Sequence, residues 1–450
     1  MPMLSLNRTA LRKRVSSLTG YAVLALLPLA ASGQMLARPG WAGSGMNLEA
    51  WYNHAVLYEI DPHGFHDSKG DGKGDLAGVA KQLDYVHSLG VDAIALTHLS
   101  PADGSLPGRL QAIDPAIGTI DDFEDLLREA SRDSLRVVVE IDPQQLPDPA
   151  ALTSVARFWL ARGAGGISLH AALASSASTD PQQRSAQLHA LSAATKSFAG
   201  QRILVADAAS DNSRRDGADL ILDPTLAHVD QLNAATLRAT LEHQASSDGI
   251  APLAMTDGYG FPRSTTRFGD PAAKPVAALL LATRANAQLY FGQEIGMTDK
   301  SGTDSLMAWG TPVDPTAKPP KQPIVHGPEV ASEDADPDSL LNWYRRLIDL
   351  HHGNNVLRSG TDTFLNHDAE NSVVWVARKG AVTPLAPAII VACNLSDKPV
   401  TLSLENDIHN LHLRGNFLRT VLRSDHGMGG MDLTAVKLAP YGVYIGELRF

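Results

Sequence analysis

Residues 55–98 read AVLYEIDPHGFHDSKGDGKGDLAGVAKQLDYVHSLGVDAIALTH and place a helical pattern between two short apolar runs. The two runs, 55–60 and 91–98, contain the residue types that favour strands. Between them, apolar residues recur at helical spacing after Asp75, which suits an N-cap, and before Gly90, which suits a helix stop. A strand, a helix and a second strand in this order predict a parallel βαβ unit.

The same alternation continues along two thirds of the chain. Six further apolar runs lie at 136–142, 166–170, 202–207, 219–223, 251–257 and 287–292. Eight parallel strands close a barrel, so the sequence predicts a (β/α)8 TIM barrel over residues 47–354. From residue 355 to 450, strands alternate with turn residues, which predicts a C-terminal antiparallel β-sandwich.

The first 33 residues differ from the rest of the chain. They carry four basic residues, an apolar run at 21–31 and then small residues, which is typical of a cleaved secretory signal peptide. A retained membrane anchor is the alternative, although the run is about half of the roughly 20 residues that a membrane span needs. We therefore expect an exported protein, periplasmic or extracellular.

Charge and cysteine content exclude several classes of function. The formal net charge is −11, and removing the four basic residues of 1–33, a segment without acidic residues, brings it to −15. An acidic surface repels phosphate backbones and anionic lipid, so nucleic acid and membrane surfaces are disfavoured as partners. Cys393 is the only cysteine, which rules out an intrachain disulfide.

Several long phrases resemble the α-amylase family, glycoside hydrolase family 13. Residues 51–101 resemble the opening of its oligo-1,6-glucosidase and trehalose synthase type members, and further similar phrases lie at 112–130, 156–166, 289–297 and 340–350. The resemblance implies a barrel, a domain inserted after the third strand, a C-terminal β-sandwich and an oligosaccharide or α-glucoside ligand. Residues 140–160 pass from strand 3 to the next helix almost directly, so we expect the inserted domain to be missing.

The resemblance also implies three catalytic carboxyl groups, and this chain departs from that pattern. His170 stands at the position of the nucleophile after strand 4, and Ser168 stands where an arginine orients that carboxylate. Asp207 replaces the general-acid glutamate after strand 5, whereas Asp257 after strand 7 matches the family. Losing one member of a catalytic unit commonly costs factors of about 10⁴ to 10⁶ in rate. The sequence thus predicts a catalytically degenerate protein with a carbohydrate-binding or regulatory role.

The sugar-binding positions that the resemblance implies are altered as well. Thr256 stands where the family has a sugar-contacting histidine, and Gln144 and Gln145 replace its Asn-His pair after strand 3. With Ser168, they form the predicted substrate-binding positions. The aromatic residues that could stack on a sugar, but for which packing is the stronger expectation, are Tyr58, Phe65, Phe261 and Trp309.

Two catalytic alternatives stay open at this point. In the first, Asp207 and Asp257 act as the acid and base of a divergent, inverting glycosidase on α-glucosides. In the second, polar residues at the strand ends hold a metal ion that activates water for hydrolysis. The residues of that second alternative are His98, Asp142, His170, Asp207, Asp223, Asp257 and Glu294.

The loop 67–75, DSKGDGKGD, resembles the calcium loop of the family. Asp67, Asp71 and Asp75 keep its acidic positions, but Lys69 replaces the usual asparagine. A protonated lysine cannot bind a cation, so we expect its ammonium group to take the place of the ion and no cofactor to be needed. The alternative is a calcium site with Lys69 turned out to solvent.

Overall fold

The eight predicted strand runs each overlap one strand, and the strands close into a parallel barrel in chain order. β1 pairs with β8, which completes the closure. The barrel strands are β1 (Val56–Ile60), β2 (Ala93–Leu96), β3 (Arg136–Glu140), β4 (Gly166–Ser168), β5 (Ile203–Asp207), β6 (Leu220–Asp223), β7 (Leu253–Met255) and β8 (Asn286–Tyr290). The predicted (β/α)8 barrel is therefore confirmed.

This computed structural model describes residues 50–101, 108–142, 148–169, 181–207, 216–245, 252–299, 306–310, 329–380, 387–425 and 427–450. Residues Asn47–Phe450 form one compact unit. Among the described residues, no helix combines the length and the apolar character needed to span a bilayer.

A described helix follows each barrel strand except β5, after which none is described before β6. The helices are α1 (Pro62–Phe65), α2 (Leu76–Lys81), α3 (Leu83–Leu89), α4 (Ile120–Arg132), α5 (Pro149–Ala161), α6 (Pro181–Lys196), α7 (Ala234–Ala245), α8 (Ser264–Phe268), α9 (Ala273–Leu281), α10 (Val330–Ala335), α11 (Leu340–Gly353), α12 (Asn355–Ser359) and α13 (Glu405–Asn410). Short 3₁₀ turns lie at Asp270–Ala272, Gln293–Ile295 and Asp368–Glu370. Asp75 caps α2 by accepting the Gly78 N–H, and Gly90 ends α3 in the left-handed region, as predicted.

Side chains along each strand point alternately to the inside of the barrel and to the surface that faces the helices. On β1, Tyr58 and Ile60 belong to the large core that the strands share with the helices, whereas Leu57 belongs to an inner cluster. Val205 and Met255 lie in the same inner cluster. Because side chains alternate with a period of two, Glu59 shares the inward face with Leu57. The alternation therefore brings a carboxyl group into the barrel.

The connection after β3 is short. β3 ends at Glu140 and α5 begins at Pro149, capped by Asp148, so only residues 141–148 separate them. A segment of this length cannot fold into a domain, which confirms that the inserted domain is missing. The wall that such a domain would build beside the barrel mouth is therefore missing as well.

The C-terminal strands form two antiparallel sheets, as predicted. A six-stranded sheet has the order β14-β13-β16-β11-β10-β9, and β12 pairs with β15. The strands are β9 (Thr361–His367), β10 (Ser372–Arg378), β11 (Ala388–Asn394), β12 (Val400–Leu402), β13 (Phe417–Arg423), β14 (Met431–Asp432), β15 (Val436–Leu438) and β16 (Val443–Arg449). Leu402 and Val436 of the small sheet share a core with Val374 and Tyr444 of the large one.

The other face of the six-stranded sheet packs on the barrel. Val373 and Trp375 of β10 lie in the same core as the barrel helices. Arg238 of α7 donates from Nε and Nη2 to the two carboxylate oxygens of Asp368, at 3.0 and 2.8 Å. A paired, two-point ion contact of this kind fixes orientation as well as distance.

Candidate active site at the carboxyl ends of the barrel strands

Function in a barrel of this type concentrates where the strands end, and four predicted site residues cannot be placed there in atomic detail. His170, Gln144 and Gln145 lie outside the described residues. Asp207 is the last residue of β5, but its side chain is not among those described. The roles predicted for these four residues stay predictions.

Asp257 follows β7 and is fully buried. Its Oδ2 accepts a hydrogen bond from Ser264 Oγ at 3.1 Å, and its Oδ1 lies 3.9 Å from Arg267 Nη2. Burial raises the pKa of this carboxyl group, although the Ser264 hydrogen bonds and the nearby arginines oppose the rise. With 0% of its surface exposed, the carboxyl group faces α8 and not the solvent at the barrel mouth.

The neighbouring predicted binding positions are also built into the core. Thr256 Oγ1 accepts a hydrogen bond from Gln293 Nε2 at 2.8 Å, and the same amide group donates to Tyr344 Oη at 3.0 Å. Ser168, the last residue of β4, is buried and pairs in register with Glu140 of β3. Neither residue presents an exposed hydroxyl group to a ligand.

Glu294 anchors a buried network and does not face the mouth. Tyr58 Oη and Tyr85 Oη each donate to its Oε1 at 2.6 Å, and burial raises the pKa of the carboxyl group. Phe65 is also fully buried, and Trp309 donates from Nε1 to the Phe65 carbonyl. These aromatic residues pack in the core, as expected.

Metal binding by the strand-end residues finds no support in the part of the chain that the structure describes. There, no group of three or more His, Cys, Asp or Glu side chains is arranged to hold an ion. Asp223, for instance, accepts hydrogen bonds from the amide and hydroxyl groups of Thr225 at 2.9 and 2.7 Å. Its carboxylate thus closes a turn.

The loop 67–75 uses its carboxylates as caps for backbone amides. Asp67 accepts the N–H groups of Lys69, Gly70 and Gly72. Asp75 accepts the Gly78 N–H with one oxygen, while its other oxygen lies 3.5 Å from Lys69 Nζ. Because amides and one ammonium group already occupy these carboxylates, the residues present do not fit a calcium ion.

Sequence reasoning missed a carboxylate that joins two histidines at the barrel mouth. Asp61 follows β1 and contacts His63 Nδ1 at 3.0 Å and His98 Nδ1 at 2.9 Å. Burial alone would raise the pKa of Asp61, but the hydrogen bonds from both histidines hold it well below its usual range. Hydrogen bonding to Asp61 correspondingly raises the pKa of His63. The ring of Tyr259 packs edge-on against the ring of His98, with 4.0 Å between the two ring centroids.

A second missed feature is a pair of carboxyl groups inside the barrel, Glu59 and Glu140. Glu59 is fully buried and accepts hydrogen bonds from Gln288 Nε2 at 2.8 Å and the Tyr259 amide at 3.3 Å. Burial raises its pKa to about 7. Burial and the charges of Glu59, Asp142 and Asp61 hold the pKa of Glu140 well above its usual range. The sequence signal for this pair was a glutamate in an apolar strand, at a position whose side chain faces the inside of the barrel.

Comparisons with known proteins agree with this architecture. Residues 59–142 match the family described as "Alpha amylase, catalytic domain". Over 99 residues the chain is 42% identical to the trehalose-6-phosphate hydrolase of Escherichia coli, and over 97 residues it is 39% identical to the glucan 1,6-alpha-glucosidase of Streptococcus pneumoniae. Each match covers 21% of this chain and only 18% of the relative.

The likeness in fold extends much further than the likeness in sequence. The crystal structure of Bacillus licheniformis trehalose-6-phosphate hydrolase superposes with a TM-score of 0.74, covering 89% of this chain and 100% of that one. Sequence identity over this superposition is 16%, so it supports the fold alone. The sequence match is therefore concentrated in the first three barrel strands, upstream of β4.

Proposed function

We propose that this chain, which matches the α-amylase catalytic domain over residues 59–142 and resembles glucosidases and trehalose-processing enzymes there, is a degenerate member of that family without hydrolytic activity. In this proposal it keeps a carbohydrate-binding or regulatory role. The observation that carries the proposal is the end of β4. Ser168, Leu169 and His170 follow one another there, and none of them offers a carboxyl group to attack an anomeric carbon.

The geometry of Asp257 supports the same conclusion. A carboxylate that stabilises a sugar must reach it, but this one is fully buried and bonded to Ser264. Loss of the nucleophile alone predicts a rate lower by a factor of about 10⁴ to 10⁶. The two defects act on the same reaction, so we expect no turnover above the uncatalysed background.

The test is an activity assay on maltose, isomaltose, trehalose and aryl α-glucosides. The wild-type protein should show no turnover, and the double variant His170→Asp with Ser168→Arg is the informative rescue, because it restores a carboxylate and its orienting guanidinium group. Asp207→Ala is the matched control for residual chemistry. Wild-type turnover that Asp207→Ala abolishes would refute the proposal and favour a divergent glycosidase.

The binding role is proposed for the barrel mouth around Tyr259. Tyr259 is 38% exposed, and its ring lies against His98, which is bonded to Asp61. An exposed aromatic ring beside hydrogen-bonding groups suits the apolar face and the hydroxyl groups of a sugar. Isothermal titration with isomaltose and trehalose should detect binding, and Tyr259→Ala should weaken it about fivefold or more.

Phe450 provides the control for this measurement. It is a large aromatic residue, 72% exposed, at the end of the C-terminal domain. Phe450→Ala should leave sugar affinity unchanged if the site lies at the barrel mouth. Equal losses in the two variants, or no sugar binding by the wild-type protein, would refute the binding role.

Export is proposed on the basis of residues 1–33 alone. The basic residues and the apolar run at 21–31 support cleavage and release into the periplasm or the medium. Intact mass analysis of protein made in its own host tests this directly. A chain that retains residues 1–33 and stays with the membrane fraction would refute it.

A further inference from the structure

A cavity of about 780 Å³ lies at the end of the barrel where the strands begin, opposite the candidate active site. The last turns of α4, the start of β3 and the turn between α5 and β4 form its walls. Five arginines line it: Arg128, Arg132, Arg136, Arg162 and Arg202. Glu124 is the only acidic residue among those that line it.

Neighbouring groups neutralise only part of this positive charge. Arg162 Nε lies 3.6 Å from Glu124 Oε1, and Arg128 pairs with Asp125. The C-termini of α4 and α5 also face this end, and each carries roughly half a negative charge. Asp92 also acts on Arg136, so the lining keeps a net charge between about +1 and +2.

Two of the arginines are held in place by the fold. Arg202 donates from Nε to the Ala199 carbonyl at 2.9 Å and from Nη1 to the Gly163 carbonyl at 2.8 Å. The guanidinium group of Arg136 stacks on the Trp51 ring, 4.4 Å from its centroid. Groups fixed in this way lose little further freedom when a ligand arrives, which favours binding.

Arg132 is the lining arginine whose N–H donors have no partner among the described residues. It is exposed, and it makes no hydrogen bond or ion pair with any residue that the structure describes. A guanidinium group carries five N–H donors in a planar fork that matches the oxygens of a phosphoryl group. Arg132 therefore offers the cavity a guanidinium group whose donors are available to a ligand.

We propose that this cavity binds a small dianion that carries a phosphoryl group, either inorganic phosphate or a phosphate monoester. The charge of the lining matches a dianion, and the volume lies in the range of small-molecule pockets. A polyanion is disfavoured, because the chain as a whole carries a net charge of −11 and would repel an extended phosphate backbone. The site is separate from the barrel mouth and does not depend on the proposed function.

Isothermal titration of the full chain with inorganic phosphate, glucose 6-phosphate and glucose tests the proposal. We expect saturable binding of the two phosphorylated probes, weaker at higher ionic strength, and no binding of glucose at this site. Tighter binding of glucose 6-phosphate than of phosphate would identify a monoester as the ligand, and equal affinities would identify inorganic phosphate.

Arg132→Gln is the decisive variant, because an exposed position tolerates the change without loss of folding. It should lower phosphate affinity about tenfold or more. Arg414→Gln, an exposed arginine of the C-terminal domain, removes the same charge elsewhere and should leave affinity unchanged. The proposal is overturned if the wild-type protein binds no phosphate, or if both variants bind it as the wild type does.

Discussion

Replacing Glu59 with glutamine should make the protein more stable at high pH and leave it unchanged at low pH. Burial raises the pKa of this carboxyl group from 4.5 to about 7 in the folded protein. Below pH 4.5 both folded and unfolded chains hold the proton, so ionisation of this group does not lower the free energy of unfolding. Between the two values only the unfolded chain releases it, and stability therefore falls as the pH rises.

The size of the effect follows from the same numbers. At about 1.4 kcal/mol per pKa unit, a rise from 4.5 to about 7 corresponds to about 3 kcal/mol once the pH exceeds 7. An unfolding entropy of about 2 cal/mol/K per residue over roughly 400 residues converts this into a shift of about 4 °C in the midpoint. Glu59→Gln should therefore melt about 4 °C above the wild type at pH 8.

The comparison must be a difference between two proteins and not a single pH profile. Burial lowers the pKa of His351 to about 4, so this residue adds stability as the pH rises through the same range and partly masks Glu59. Its contribution is common to the wild type and the variant and cancels in the difference. Glu405→Gln, at an exposed position on α13, controls for the loss of one charge.

Differential scanning calorimetry at pH 4.5, 6 and 8 gives the required midpoints. The gap between Glu59→Gln and the wild type should open between pH 4.5 and 8. A gap that is the same at all three values would refute the reasoning, because it would mean that Glu59 titrates alike in the folded and unfolded chains. A variant less stable at pH 8 would show that the hydrogen bonds from Gln288 and the Tyr259 amide stabilise the carboxylate by more than its burial costs.

Three further outcomes follow from the structure. Arg238→Ala should lower stability by about 1 kcal/mol by removing the two-point ion pair with Asp368, and an unchanged thermal midpoint would show that the two domains dock without it. Gly74→Ala should lower the free energy of unfolding by more than about 3 kcal/mol, since its Cβ would lie 2.1 Å from a backbone carbonyl oxygen. Gly70 has open space around it but a φ of +76°, so Gly70→Ala should lower it by only about 1 kcal/mol. Equal losses of stability for the two variants in urea denaturation would contradict this difference. Adding millimolar calcium should leave the melting midpoint unchanged because Lys69 lies beside Asp75 and backbone amides occupy Asp67, and a clear rise would restore the calcium-site alternative.

The barrel could be predicted because its signal is local and repeated. Each run of apolar residues corresponds to one strand, but the runs were longer than the strands they overlap. The predicted run 91–98 includes Thr97 and His98, yet β2 ends at Leu96 and His98 turns into the left-handed region with a φ of +50°. Strand pairing ends where the neighbouring strands diverge, and the hydrophobicity of the sequence alone does not locate the residue at which this happens.

The predicted start of β8 was one residue late for a related reason. Asn286 is polar, and the apolar run that predicts β8 begins after it. In the structure it is buried, and its side-chain oxygen accepts the Ala55 N–H at 2.8 Å. Asn286 thus adds a side-chain hydrogen bond to the pairing of β1 with β8, and a partner 231 positions away leaves no local trace in the sequence.

Asp61 and Glu59 escaped prediction because their contacts are long-range, although His98 was among the predicted strand-end residues. The family resemblance directed attention to His170, Asp207 and Asp257, the positions where catalysis would reside. Asp61 instead meets His98 across 37 positions, and Glu59 meets Gln288 across 229. Pairing of β1 with β2 brings Asp61 to His98, and closure of the barrel by β1 and β8 brings Glu59 to Gln288, so spacing in the sequence could not reveal these contacts.

The buried polar groups inside the barrel bear on the proposed binding role. Burying a carboxyl group costs stability, and cores without a function at that point usually do better with apolar side chains of similar volume. Here Glu59 and Glu140 lie inside the barrel within electrostatic range of Asp61, and Glu59 accepts a hydrogen bond from the backbone amide of Tyr259. A chain that had lost catalysis and kept only the fold would gain stability by replacing them, whereas a chain that still binds a hydroxylated ligand needs hydrogen-bonding groups in this place. The gain in stability expected for Glu59→Gln should therefore come with weaker sugar binding, and a stabilised variant with undiminished affinity would separate the buried pair from the binding role.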